Sequence, residues 1–358
     1  MVPQLDPLAI ARRSFLHQST YGLGGMALAM LGREATASAG LARPADWQGS
    51  IRQPHFPVRA KRVIFLCMAG GPSQFESFDW KPALKAIDGK PFPESFTKGQ
   101  QLAQLQNAVL KGRGSFVNFK KHGASGIEIS DLFPHLARQA DRLCVIRSMQ
   151  TEQINHDTAH AFMNTGSIIK GRPSMGSWLL YGLGSATDNL PGFIVLTSAG
   201  KYGQQPISAR QWSSGVLPSR FQGIMFQSKG DAVHYIGSPP GICQSTQRQV
   251  VEEVRRLNGL LAERQHDPEI ATRIAQYEMA FRMQASVPEL TDFSGETQET
   301  LDLYGVKEPG DGSFASNCLL ARRLAERGVR MIQLYHRAWD HHGNLVSGMK
   351  EGAAAVDK

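Results

Sequence analysis

Four short β-prone runs punctuate the chain, at residues 63–68, 143–149, 193–197 and 328–335. The first, VIFLCM, is continuously apolar between Arg62 and Gly70-Gly71-Pro72, the pattern of a central strand in a parallel sheet. Between these runs the apolar period lengthens to that of a helix. Residues 131–141 predict a short helix, residues 174–183 another, and residues 314–327 a third that Gly328 closes. Two long helices lie in between. A capping box of Thr246 with Gln249 opens the first, and Asp267 with Pro268 opens the second. In the second, Ile270, Ile274, Tyr277 and Phe281 recur on one face until Pro288 stops it. Residues 115–129 are polar and glycine-rich and predict a surface excursion, and residues 40–60 a linker. Strands alternating with helices predict an α/β fold with a doubly wound, mostly parallel sheet.

Parallel strands place their carboxyl ends along one edge, where open sheets of this class hold their chemistry. The polar residues are distributed accordingly. After the last run come His336, Asp340, His341 and His342, and an Asp with a His two residues on can present oxygen and nitrogen to one divalent ion such as zinc, manganese or calcium. A solvated loop is the alternative. After the second run, His156 and His160 share a face if the loop opens a helix, with Asp157 beside them; capping or core histidines would look the same. After the first come Ser73 and Glu76. Gly70 and Gly71 allow a sharp turn and a close approach to a ligand, and Pro72 can begin a helix whose free N–H groups face an anion, although two glycines before a proline are often a plain turn. Lys170 and Arg172 flank Gly171 near a helix start, either as an anion clamp or as a solvated turn.

At 358 residues, with 41% hydrophobic and 20% charged residues, the composition is that of a globular protein with a large core. The formal charge of +8 is scattered and lacks interleaved aromatics, which argues against nucleic-acid binding. The four cysteines are far apart and predict neither a thiolate zinc site nor a disulfide framework. Near the start, Arg12-Arg13-Ser14-Phe15-Leu16 precedes an apolar run at 21–32 and the small residues Ala37-Ser38-Ala39. Residues 1–39 thus read as a signal of the twin-arginine type, too short in its apolar part to span a bilayer, whose partner is the twin-arginine export machinery; an amphipathic helix of the mature domain is the alternative. The expected location is periplasmic or extracellular, with no stable transmembrane segment.

Four motifs in order, at 68–82 (MAGGPSQFESFDWKP), 171–185 (GRPSMGSWLLYGLGS), 190–198 (LPGFIVLTS) and 334–345 (LYHRAWDHHGNL), make the chain resemble the uncharacterised bacterial family called domain of unknown function 1501. Members are similar to the alkaline phosphatase and sulfatase superfamily, which holds one or two divalent metals with Asp and His at strand ends, beside a Ser, Thr or modified Cys nucleophile. The resemblance implies an alkaline phosphatase-like domain over 61–358. The family usually has Asp where this chain has Glu76, and continues with a Gly-Glu-Phe-Gly-Arg-Thr segment and a later Asp-His segment. The resemblance therefore implies a truncated chain that lacks its C-terminal strands and about half of the metal ligands.

The expected activity is metal-dependent hydrolysis of a phosphate or sulfate ester, on a small molecule or a polysaccharide. In that reading Asp340, His342 and Glu76 hold the metal. Ser73 is nucleophile, anion-cradling hydroxyl or mere helix cap. His156 or His160 donates to an oxygen of the ester, and Gly70, Gly71, Lys170 and Arg172 hold its anion. The rival expectation is an exported binder of sulfated polysaccharide without turnover, or an inactive fragment.

Overall fold

Strand β6 (Met331–His336) is the centre of the molecule, and all six of its residues are buried. In the computed structural model it is flanked by β1 (Val63–Met68) and β4 (Phe193–Ser198), with β5 (Ile224–Met225) beyond β4, giving the order β1-β6-β4-β5 with every pairing parallel. Register brings Met68, His336 and Ser198 side by side, so three carboxyl ends share one edge. The structure describes residues 47–358, apart from 101, 103–104, 106–107, 199–204, 235, 238–242 and 266–267. The predicted signal segment and Asp267 lie outside the described residues.

Both faces of the sheet are covered. On one, Ile194, Leu196, Ile332 and Leu334 pack against Met283, Val287 and Leu290 of a long helix and against Phe314, Leu320 and Leu324 of another. On the other, Phe193, Val195, Met331 and Tyr335 meet Leu180, Trp212 and Phe221. Burying a Leu or Ile side chain from water contributes about 1.5–3 kcal/mol, so β6 is where displacement costs most.

The helices, in chain order, are α1 (His156–Thr165), α2 (Met175–Leu183), α3 (Gln244–Gln265), α4 (Pro268–Thr291), α5 (Gln298–Tyr304), α6 (Phe314–Glu326) and α7 (Leu345–Val356), with four-residue helical turns elsewhere. Ser174 caps α2 by accepting from Ser177 N–H, and Ser313 caps α6 by accepting from Ser316 N–H. The region predicted as a linker is anchored in its middle: Trp47 stacks on Tyr181 at 5.5 Å, and Ser50 and Ile51 donate to carbonyls of α2. Among the described residues no helix is long and apolar enough to cross a membrane.

Several expectations fail for physical reasons. Residues 143–149 form no strand; Arg147 turns to the Phe78 carbonyl while Ile146 and Met149 stay exposed, so the run finds no edge to pair with. The two-residue β5 takes the place beside β4 instead. The glycine-rich excursion contains an antiparallel hairpin, β2 (Phe119–His122) with β3 (Ile127–Ser130), whose fully buried Ile129 seeds a small core with Phe133 and Ala353. Strand β1 lies at an edge rather than in the centre, leaving Val63, Ile64 and Leu66 between 37% and 45% exposed. Helix α3 starts two residues before the predicted cap, because the Cys243 carbonyl already accepts from Gln247 N–H. Pro288 sits inside α4, which runs on to Thr291, where the Thr291 hydroxyl returns to the Val287 carbonyl.

Candidate functional site

Two loops are zipped together at the carboxyl edge. Ala69 N–H donates to the His336 carbonyl at 2.8 Å, and Trp339 N–H donates back to the Ala69 carbonyl at 3.1 Å. Gly70 makes this approach possible: its φ is +107°, and a Cβ there would lie 2.4 Å from the Asp340 backbone nitrogen. The returning chain is strained in its turn. Ala338 has φ of 77°, which costs a non-glycine residue about 1–2 kcal/mol, and it is held by a 2.5 Å hydrogen bond from its N–H to Gln205 Oε1. The Trp339 side chain, 2% exposed, donates its indole N–H to His336 Nδ1 at 2.8 Å. That bond requires an unprotonated Nδ1, and burial lowers the His336 pKa to about 4, so the ring is neutral.

This frame presents Asp340. His156 Nε2 lies 2.8 Å from Asp340 Oδ2, and His342 Nε2 lies 2.7 Å from the same oxygen. His156 arrives as the first residue of α1, whose cap Asn155 accepts from Asp157 N–H at 3.1 Å. Each ring must carry its proton on Nε2 to make these bonds. Among the described residues no group of three or more His, Cys, Asp or Glu is already spaced as a metal shell; His156, Asp340 and His342 are drawn into hydrogen bonds with one another. Two imidazole nitrogens and a carboxylate nevertheless form a donor set that fits zinc or manganese, with the ion replacing the two Nε2 protons.

His160, one turn along α1, does not reach the carboxylate. Its Nδ1 sits 3.2 Å from both the Pro206 carbonyl and Gln211 Nε2, and burial lowers its pKa. His341 also turns inward: it packs on Gly348, where an added Cβ would come within 2.2 Å of the ring, and its buried Nε2 has no hydrogen-bond partner among the described residues.

Glu76, expected as a metal ligand, is 4% exposed and accepts a short hydrogen bond from the Ser73 hydroxyl. Ser73 stands before the turn Gln74–Glu76 yet makes no side-chain cap, so its hydroxyl serves the carboxylate. The turn after Pro72 is three residues of 3-10 helix, too short to offer the anion-binding terminus that was expected there. Gly70 is packed against the 339–340 backbone, whereas Gly71 opens onto free space at φ of +80°. Lys170 and Arg172 are exposed on the turn after α1, and among the described residues neither pairs with Asp340. Sequence reasoning gave no role to Gln205, Trp339 or Asn155, and placed His336 only among the polar groups that follow the last strand, whereas it is that strand's buried last residue. Only the His336 to Trp339 spacing and the Asn before His156 carried a readable signal.

Residues 60–358 match the model of a protein family described as protein of unknown function (DUF1501). The chain belongs to that family. The matched span takes in every residue of the DUF1501 site described above, from Gly70 to His342. Neither a curated protein nor a solved structure matches the chain.

Proposed function

We propose that this DUF1501 protein is an exported, divalent-metal-dependent hydrolase of phosphate or sulfate esters, built on a doubly wound sheet of the alkaline phosphatase and sulfatase kind. The observation that carries the reading is the meeting of His156 and His342 on one oxygen of Asp340, at the carboxyl edge of a parallel sheet, behind a strained and tightly tied loop. A bound divalent ion supplies charge stabilisation on the transferring group and acidifies a bound hydroxyl or water. The chain's own residues do the rest. His156, Asp340 and His342 hold the ion; the frame from Gln205, Ala69 and His336 fixes the carboxylate so that little reorganises on binding. Ser73 is the candidate nucleophile, and buried Glu76 is placed to accept its proton.

Metal content of the purified chain, with hydrolysis of aryl phosphate and aryl sulfate, tests this. Wild type is expected to hold stoichiometric metal and to turn over one of the two esters, and Asp340→Asn to lose both properties. Retention of metal by Asp340→Asn would overturn the ligand assignment. A second reading, an exported polyanion binder without turnover, is favoured by the absence of any contact between Ser73 and Asp340 among the described residues. It predicts polyanion binding that survives chelation.

A further inference from the structure

Helix α1 presents two different faces. His156 points to Asp340, but Asp157, Thr158, Ala161 and Thr165 line a separate pocket of about 80 Å³, closed by the 168–172 turn and by Arg210, Gln211 and Ser213. None of Gly70, Ser73, His156, Asp340 or His342 lines it. The space has room for one tetrahedral oxyanion.

The pocket is cationic. Lys170, Arg172 and Arg210 stand against one carboxylate, Asp157, which Arg210 engages at 3.3 Å. Among the described residues neither Lys170 nor Arg172 has an acidic partner within ion-pair distance. Gln211, 1% exposed, lines the same space, and its Oε1 is buried without a partner among the described residues while its Nε2 faces His160 Nδ1 and the Pro206 carbonyl. Exchanging the amide atoms lets Nδ1–H donate to the oxygen and leaves a buried N–H with nothing to bond, so one polar atom is orphaned either way. In the exchanged arrangement an acceptor oxygen of a bound anion can take that N–H. Ser213 Oγ accepts from Gly215 N–H and keeps its own proton to donate. Ala161, Ile168 and Ile169 complete the lining, the two isoleucines being half or more exposed.

We infer that this pocket is an anion subsite that holds a second, non-reacting sulfate or phosphate group of the substrate, so that the preferred ester carries two anionic groups. The word substrate rests on the function proposed above; the anion site does not.

Inorganic sulfate is the probe, titrated calorimetrically into the chelator-treated full chain at constant ionic strength. Wild type is expected to bind one sulfate saturably, and Asp340→Asn to bind it within about twofold of wild type. Lys170→Ala/Arg172→Ala, two exposed positions whose loss leaves the fold intact, is expected to weaken it at least tenfold. Asp157→Asn, which removes the competing carboxylate, is expected to tighten it severalfold. Absence of saturable binding, unchanged affinity in the double variant, or loss in Asp340→Asn would each overturn the site. Where aryl ester turnover is found, a disulfated substrate is expected to show a lower KM than its monosulfated analogue at similar kcat, and the double variant to erase that difference. An equal KM in wild type would reduce the pocket to a free-anion site and refute the substrate assignment. Failure of turnover with sulfate binding intact would count against the hydrolase alone.

Discussion

His336 gives the protein a stability that depends on pH in a direction the structure fixes. The ring is 4% exposed and accepts the Trp339 indole N–H through Nδ1. Its folded pKa is lowered by burial from 6.5 to about 4. In the unfolded chain the ring titrates near 6.5, so between those values the unfolded state binds a proton that the folded state refuses, and stability rises with pH. The contribution is fully present above about pH 6.5 and is lost as pH falls to about 4. At about 1.4 kcal/mol per unit the loss is about 3 kcal/mol. Urea unfolding of wild type and His336→Asn at several pH values between 7.5 and 4 isolates it. The Asn oxygen can replace Nδ1 as acceptor without titrating, and His160 and His341, also lowered by burial, act equally in both proteins. The variant starts less stable, since it vacates space beside Phe314. Its disadvantage is expected to shrink by about 3 kcal/mol on acidification. Two parallel curves would refute the reasoning, because they would mean that the buried ring takes up its proton as freely as the unfolded one.

Gly70→Ala and Gly71→Ala are adjacent and chemically identical, yet only the first drives a Cβ to 2.4 Å from the Asp340 nitrogen; the second meets nothing within 4 Å. Thermal unfolding is expected to show a loss of about 1–2 kcal/mol for Gly71→Ala, the cost of a positive φ, and a clearly larger one for Gly70→Ala. Arg323 is 8% exposed and donates to the carbonyls of Glu289, Leu290 and Asp292 and to Glu296, whose carboxyl, against the upward push of burial, its hydrogen bond and that of Arg322 hold below the usual range. Arg323→Ala is expected to cost about 2–3 kcal/mol in urea unfolding, since it takes the donor from three carbonyls and leaves Glu296 with Arg322 alone.

The last strand and its loop were legible because everything local agrees there. Val329, Met331, Ile332 and Leu334 form a β-prone run, Gly328 supplies the positive φ of 88° that ends α6, and polar residues begin where the strand stops. The strand at 143–149 was misread because an apolar run says nothing of whether a neighbour is available. His156 reaches Asp340 all the same, carried by the capped start of α1 rather than by a strand end. Glu76 could not be placed from sequence, since its partner is Ser73, three residues away, and spacing of that kind fits a cap as well as an ion. The pairing of Gln205 with Ala338 spans 133 residues and left no local trace.

The division of labour at the carboxyl edge follows from burial. The groups that hold the loop, Ala69, Gln205, His336 and Trp339, are all buried and spend their hydrogen bonds on one another and on the backbone. The groups that face outward are wetter: the side chains of Asp340, His156 and His342 are 26%, 35% and 78% exposed. A frame made of buried, neutral contacts can carry the strain at Ala338 without using the outward-facing groups, which remain free to trade their mutual hydrogen bonds for an ion. Changes to frame and ligands should therefore separate. Gly70→Ala is expected to lower stability and metal retention together, while Asp340→Asn keeps the fold and loses only the metal. If Asp340→Asn unfolded as readily as Gly70→Ala, the carboxylate would belong to the frame, and His156 and His342 would be left without the oxygen that joins them into one site.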